Sequence, residues 1–202
     1  MELETVLGVV ASAVFVVRLL PQPVRLARTG VPDGVSPLMA LNVALTEPAW
    51  LIYGLSAGLV PVWAVSLTAL PLAVWTVVLL RRRISRLDLL GAGVWLAMLL
   101  LAWGVGIVGV MLTVSVVVNC APQVWTALRS SDLEGVASTT WQLAIVDALC
   151  WGAYGLAVGD VALVGYTAVL LTSAVIILVR IAQTRRAVLS EPITLAAVAD
   201  AA

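Results

Sequence analysis

Apolar positions in this chain come in long unbroken runs rather than in alternation. Seven runs, at roughly 4–27, 37–56, 61–80, 87–104, 109–128, 139–157 and 161–182, approach the ~20 mostly apolar residues that a bilayer-spanning helix needs. The breaks between them are turn-forming or charged: Thr29-Gly30-Val31-Pro32-Asp33-Gly34, Gly58 to Pro61, Arg81 to Arg86, Gly104 to Gly109, Ser130 to Gly135, and Gly159-Asp160. The pattern predicts an all-α integral membrane protein with seven transmembrane helices.

The arginines fall on alternate breaks. Arg25 and Arg28 follow the first run, Arg81, Arg82, Arg83 and Arg86 the third, Arg129 the fifth, and Arg185 and Arg186 the seventh. The breaks at 57–60, 104–109 and 158–160 carry none. Positive loops stay in the cytoplasm. This predicts an outside N-terminus and a cytoplasmic C-terminus, in a plasma membrane of the bacterial type. The start, Met1-Glu2-Leu3-Glu4, has neither the positive charge nor the small-residue cleavage site of a secretory signal. The first run is therefore expected to stay in the mature protein. Residues 187–202 are expected to form a cytoplasmic tail, at most a short or frayed helix without function.

The polar interruptions repeat. Val17-Arg18-Leu19-Leu20-Pro21-Gln22 returns as Val118-Asn119-Cys120-Ala121-Pro122-Gln123, 101 residues later. At the same offset and without a gap, Gly8 meets Gly109, Arg28 meets Arg129, and Gly34-Val35 meets Gly135-Val136. Trp50 meets Trp151, and Tyr53-Gly54-Leu55 meets Tyr154-Gly155-Leu156. This is a duplicated unit. Three helices are an odd number, so an immediate copy would insert upside down. A single intervening span restores the direction. The expected organisation is 1–83, a three-helix bundle; 84–106, a linker helix; 107–186, a second bundle parallel to the first; and 187–202, the tail.

Composition agrees with lipid as the solvent. The chain is 62% hydrophobic and 11% charged, with mean hydropathy +1.12; soluble domains run at roughly 45–50% and about 25%. Net charge is zero, which leaves no basic footprint for nucleic acid. Histidine and lysine are absent, and with histidine goes the commonest metal ligand and general base. Cys120 and Cys150 lie in apolar runs outside any CxxC and read as small buried hydrophobes rather than a disulfide framework.

Against this background the intramembrane polar groups are informative. A charge in a membrane helix costs at least about 2.5–3.5 kcal/mol and usually faces a cavity. Three residues qualify: Arg18 in the first run, Glu47 in the second and Asp147 in the sixth. Glu47 and Trp50 are three apart, Asp147 and Trp151 four, so each pair shares a helix face. Asn42, Thr46 and Trp50 form a second stripe, and Thr46 is the offset partner of Asp147. Arg18 has two readings. It ties down Glu47 or Asp147 structurally, or it leaves one carboxylate to bind a proton or a cationic group. Trp63, Trp75, Trp95, Trp103, Trp125 and Trp141 read as interface-belt or packing residues. Pro21 and Pro122 each remove a helix hydrogen bond. Gln22 and Gln123 are candidates to satisfy the freed carbonyls, and the four residues together are a candidate hinge.

The repeat, the Pro-Gln dipeptides and Trp-x-x-Tyr-Gly resemble the PQ-loop superfamily, and within it the SWEET and SemiSWEET sugar transporters. The residues are Leu20-Pro21-Gln22, Gly34-Val35-Ser36, Trp50-Leu51-Ile52-Tyr53-Gly54 and Pro61, then Pro122-Gln123, Gly135-Val136, Trp151, Tyr154-Gly155 and Asp160. The resemblance implies parallel repeats that rock around a midplane pocket. It also implies that Trp50 and Trp151 line that pocket. Where the family carries asparagines on the third helix of each repeat, this chain has Ser66 and Thr167. The expected pocket wall is Trp50, Trp151, Asn42, Ser66, Thr167 and Asn119, with Glu47, Asp147 and Arg18 as its charges. The expected activity is movement of a small polar solute, first of all a sugar, by alternating access. The alternatives are a proton-coupled amino-acid carrier and a non-transporting receptor or assembly protein. An enzyme is not expected: there is no nucleophile beside a base and no metal-ligand cluster. No cofactor is expected. The expected partners are the solute and the lipid bilayer, with homo-oligomerisation left open.

Overall fold

The structure is a computed structural model that describes residues 3–199. Eight helical segments follow one another: α1 Leu3–Leu19, α2 Pro21–Thr29, α3 Pro37–Ala57, α4 Val60–Leu80, α5 Arg86–Gly104, α6 Val108–Arg129, α7 Ser138–Val158 and α8 Val161–Ala199. No strand occurs among the described residues. With α1 and α2 taken as one span, seven helices of 19 to 27 residues are long and apolar enough to cross a bilayer. Their ends lie within a few residues of the seven apolar runs. The helix α8 runs on without a break past Arg186 to Ala199, so the tail has no separate helix of its own there. Asp200 lies outside the described residues.

Local chemistry sets the boundaries. Pro21 has no N–H to continue α1, so the chain breaks at Leu20 and restarts as α2 with its proline at the first position. The hydroxyl of Ser36 caps α3 by accepting from the Met39 N–H at 3.2 Å. Ser85 and Asp88 cap α5 reciprocally. The helices α3 and α7 both end on a left-handed glycine, Gly58 at φ 69° and Gly159 at φ 70°. These two lie 101 positions apart.

The packing order is the same at each end of the sequence. The helix α1 packs on α4, and α4 on α3; α6 packs on α8, and α8 on α7. The two sets meet where α1 faces α7 and α3 faces α6. The helix α5 lies mainly against α3 and touches α6. Close approach rests on glycine. A Cβ on Gly54 would stand 2.7 Å from the Trp63 nitrogen, and one on Gly155 would stand 2.7 Å from the Leu163 Cβ. The neighbours of these two glycines overlap under the same offset, since Val62 and Trp63 correspond to Leu163 and Val164.

The arginine-bearing connections gather at one end. Arg83 Nη2 lies 3.5 Å from Asp33 Oδ1, Arg25 donates to the Glu134 carbonyl, and Arg180 Nε donates to the Ala127 carbonyl at 3.1 Å. At the opposite end Tyr53 Oη donates to Asp160 Oδ2 at 2.8 Å.

The glycine contacts give a direct test. Gly54→Val and Gly155→Val should each destabilise the detergent-purified protein by about 1–3 kcal/mol, the usual cost of overpacking. Gly93→Val, at a position with nothing within 4 Å of a built Cβ, should change the thermal midpoint far less. Equal midpoints for all three would show that the α3–α4 and α7–α8 contacts do not hold the fold.

Candidate functional site: a cavity between the repeated halves

A cavity of about 150 Å³ opens between the two sets of helices. An apolar cavity of about that size accepts one six-membered ring. Every helix except α5 contributes to its wall. Both indoles line it, and each is braced by a tyrosine one turn on. The Trp50 and Tyr53 rings meet edge to face at 5.9 Å, and Trp151 and Tyr154 at 5.7 Å. Phe15 adds a second edge contact to Trp151 at 6.4 Å.

Bonds between the halves form layers, and each layer obeys the 101-residue offset. At the arginine end, Gln22 Nε2 donates to the Gly135 carbonyl at 3.1 Å, and Gln22 Oε1 accepts from the Ala137 N–H at 3.0 Å. Reciprocally, Gln123 Nε2 donates to the Gly34 carbonyl at 2.7 Å, and Gln123 Oε1 accepts from the Ser36 N–H at 2.7 Å. Each amide faces one backbone acceptor and one backbone donor, which fixes its orientation. The loops approach closely enough for the Gly135 N–H to donate to the Asp33 carbonyl at 2.9 Å. A Cβ on Gly135 would overlap that backbone, and Gly34 sits at φ 78°. This accounts for glycine at both positions.

In the middle layer, Arg18 Nε lies 3.0 Å from Asp147 Oδ2. Tyr166 Oη donates to the same oxygen at 2.7 Å and accepts from Arg18 Nη2 at 3.2 Å. The offset counterparts are Asn119 and Thr46, and they meet too, with Thr46 Oγ1 and Asn119 Oδ1 3.3 Å apart. At the far end Gly8 abuts the Tyr154 ring and Gly109 the Tyr53 ring; built Cβ atoms would stand 3.1 and 3.2 Å from the ring carbons.

Several expected roles change. Gln22 and Gln123 do not satisfy the carbonyls freed by the prolines; their amides cross to the opposite half. The carbonyl freed by Pro122 is that of Val118, and it accepts from Asn42 Nδ2 at 3.2 Å. Asn42 is thus a structural tie and not a cavity wall. Thr167 is also absent from the wall, because its hydroxyl turns to the Ala148 carbonyl on α7 at 2.8 Å. Asp147 is fully buried behind Arg18 and Tyr166. Trp50, Trp151, Ser66, Asn119, Glu47, Arg18, Gln22 and Gln123 do line the cavity, and Pro21 and Pro122 are not part of its wall. The α1–α2 chain breaks beside Pro21, whereas α6 continues through Pro122.

Two of the tryptophans read as belt or packing residues do more than that. Trp141 lines the cavity. Trp95, 2% exposed, donates from Nε1 to Thr46 Oγ1 at 2.9 Å. Trp75, Trp103 and Trp125 are exposed on the outer surface. Sequence reasoning missed Tyr166, and no spacing could have found it, because its partners lie on two other helices. The Tyr53–Asp160 bond had one weak signal: Asp160 appears in the second copy only.

No family model, curated protein or solved structure matches the chain.

The ion pair makes a prediction. Asp147→Leu would leave the Arg18 guanidinium buried without its anion, at a cost of about 3–5 kcal/mol. The double variant Arg18→Met, Asp147→Leu should recover most of that loss, since a buried pair replaced by apolar groups is often neutral. Thermal or denaturant unfolding of the purified protein reads both. A double variant as unstable as the single one would show that Arg18 and Asp147 are not coupled.

Proposed function

We propose that this protein is a membrane transporter that moves a small polar solute by alternating access. In this reading 1–83 and 107–186 are two parallel three-helix bundles of the PQ-loop, SWEET-like kind, and the span within 84–106 links them. The observation that carries the reading is the location of the cavity. It lies at the interface of the two copies, and the bonds that close that interface are reciprocal in the repeat register. A wall between two matched halves can part at one end while it stays shut at the other. The arginine end belongs to the cytoplasm by the positive-inside rule, which leaves the N-terminus outside.

A sugar is the first solute class. Two indoles line a ring-sized cavity as partners for the apolar side of a pyranose, and Ser66, Asn119 and Thr140 offer hydrogen bonds. The sealed Arg18–Asp147 pair adds no net charge. One observation favours the second reading, a carrier of charged solutes: Glu47 faces the same cavity without a counter-ion within salt-bridge distance.

Purified protein in liposomes, offered labelled sugars and amino acids with and without an imposed pH gradient, tests this. Uptake of at least one class is expected. Trp50→Ala and Trp151→Ala should each abolish it while the protein stays folded, and Trp75→Ala should leave it near the parent rate. No uptake of any solute would return the chain to the non-transporting receptor class. Equal losses at all three tryptophans would remove the indoles from the solute site.

A further inference from the structure

We propose that Glu47 is the seat of one positive charge in the cavity, supplied either by a proton or by the ammonium group of a solute. This deepens the transport reading and rests on the cavity being the solute site. Glu47 lies on α3, is 6% exposed, and lines the cavity. No ion pair holds its carboxyl group among the described residues, and its side-chain hydrogen-bond partner is the uncharged Ser66 hydroxyl.

The neighbours on every packed element are accounted for. From α1, Arg18 is held at 3.0 Å by Asp147. From α7, Asp147 is neutralised by that contact. From α8, Tyr166 donates its proton to Asp147. From α4 comes the Ser66 hydroxyl, which hydrogen-bonds Glu47 but carries no charge. From α6 come Asn119 and the Cys120 thiol, both cavity-lining and neither a cation. From α5, Trp95 spends its N–H on Thr46.

Charge balance then decides. Arg18 and Asp147 cancel. Glu47 is a third ionisable group in the same low-dielectric space, and as a bare carboxylate it would be uncompensated. Such a group takes a proton or acquires a cation. The repeat sharpens this point: the counterpart of Glu47 is Ala148, so the second copy supplies neither a matching acid nor a base. A structural carboxylate would have a built-in counter-ion, as Asp147 does. Glu47 has a hydroxyl neighbour but no counter-ion, and it lines a space that fits one small molecule.

The test is infrared difference spectroscopy on the full chain in lipid nanodiscs, with the Glu47→Gln difference isolating this group. Acidification should bring up a protonated-carboxyl band that is lost in Glu47→Gln and shifted but retained in Glu47→Asp. Ethylammonium chloride added at fixed pH separates the two sources. Bleaching of the band marks the ammonium as the partner, and a band indifferent to ethylammonium and to glucose marks the proton. A spectrum that neither pH nor ethylammonium changes at Glu47 would overturn the proposal. The measurement needs no flux. A titrating Glu47 in a chain that carries nothing would sink the transport reading alone, and uptake by a chain with a silent Glu47 would sink this one alone.

Discussion

A bilayer interior offers no water, so each polar group there needs a partner within the protein. This chain meets that demand chiefly by pairing across its repeat. Arg18 finds Asp147, Thr46 finds Asn119, and Asn42 finds the Val118 carbonyl that Pro122 freed. The glutamines of the two Pro-Gln dipeptides each hold the other copy's loop. The interface between the halves is therefore a set of bonds that can be broken only at the expense of buried polar groups. Full separation of the halves is costly. A rocking motion that opens one layer and keeps the others closed costs far less, and this ties the packing to the transport proposal.

The frame is symmetric but its chemistry is not. At the first site of the middle layer the pair is charged, Arg18 with Asp147; at the second it is neutral, Asn119 with Thr46. The neutral pair is held from behind by Trp95 on α5, so the span between the copies supports the one pair that lacks an ionic bond. Glu47 has no counterpart at all. Two matched sets of helices supply the walls of the cavity, and Glu47 is the acidic group in that wall without an ion-pair partner among the described residues.

Much of the architecture was legible in the sequence because membranes impose simple rules. Run length gave the seven spans to within a few residues. Arginine spacing gave the common end of connections 30–36, 81–85 and 130–137. The offset gave the pairing of Gly34 with Gly135 and of Trp50 with Trp151. What stayed hidden was whatever depends on the facing helix. Spacing places Asn42 and Trp50 near one face of α3, yet Asn42 turns to α6 and Trp50 to the cavity. Thr167 and Ser66 are offset partners, and only Ser66 reaches the cavity, because the Ala148 carbonyl claims the hydroxyl of Thr167. Tyr166 and Trp95 each look like ordinary apolar-run aromatics until their polar atoms are seen to meet groups from other helices. Helical periodicity fixes a direction on one helix; it does not say what stands opposite.

The central claim is that the two copies expose one cavity alternately to the two sides of the membrane. Cys120 reports on this without an engineered label site, since it lines the cavity and is only 4% exposed. In a Cys150→Ala background it is the chain's single thiol. An impermeant maleimide should modify it from either face of sealed vesicles, and breaking the glutamine contacts with Gln22→Ala should speed modification from the arginine face. Modification from one face only, unchanged by Gln22→Ala, would contradict alternating access.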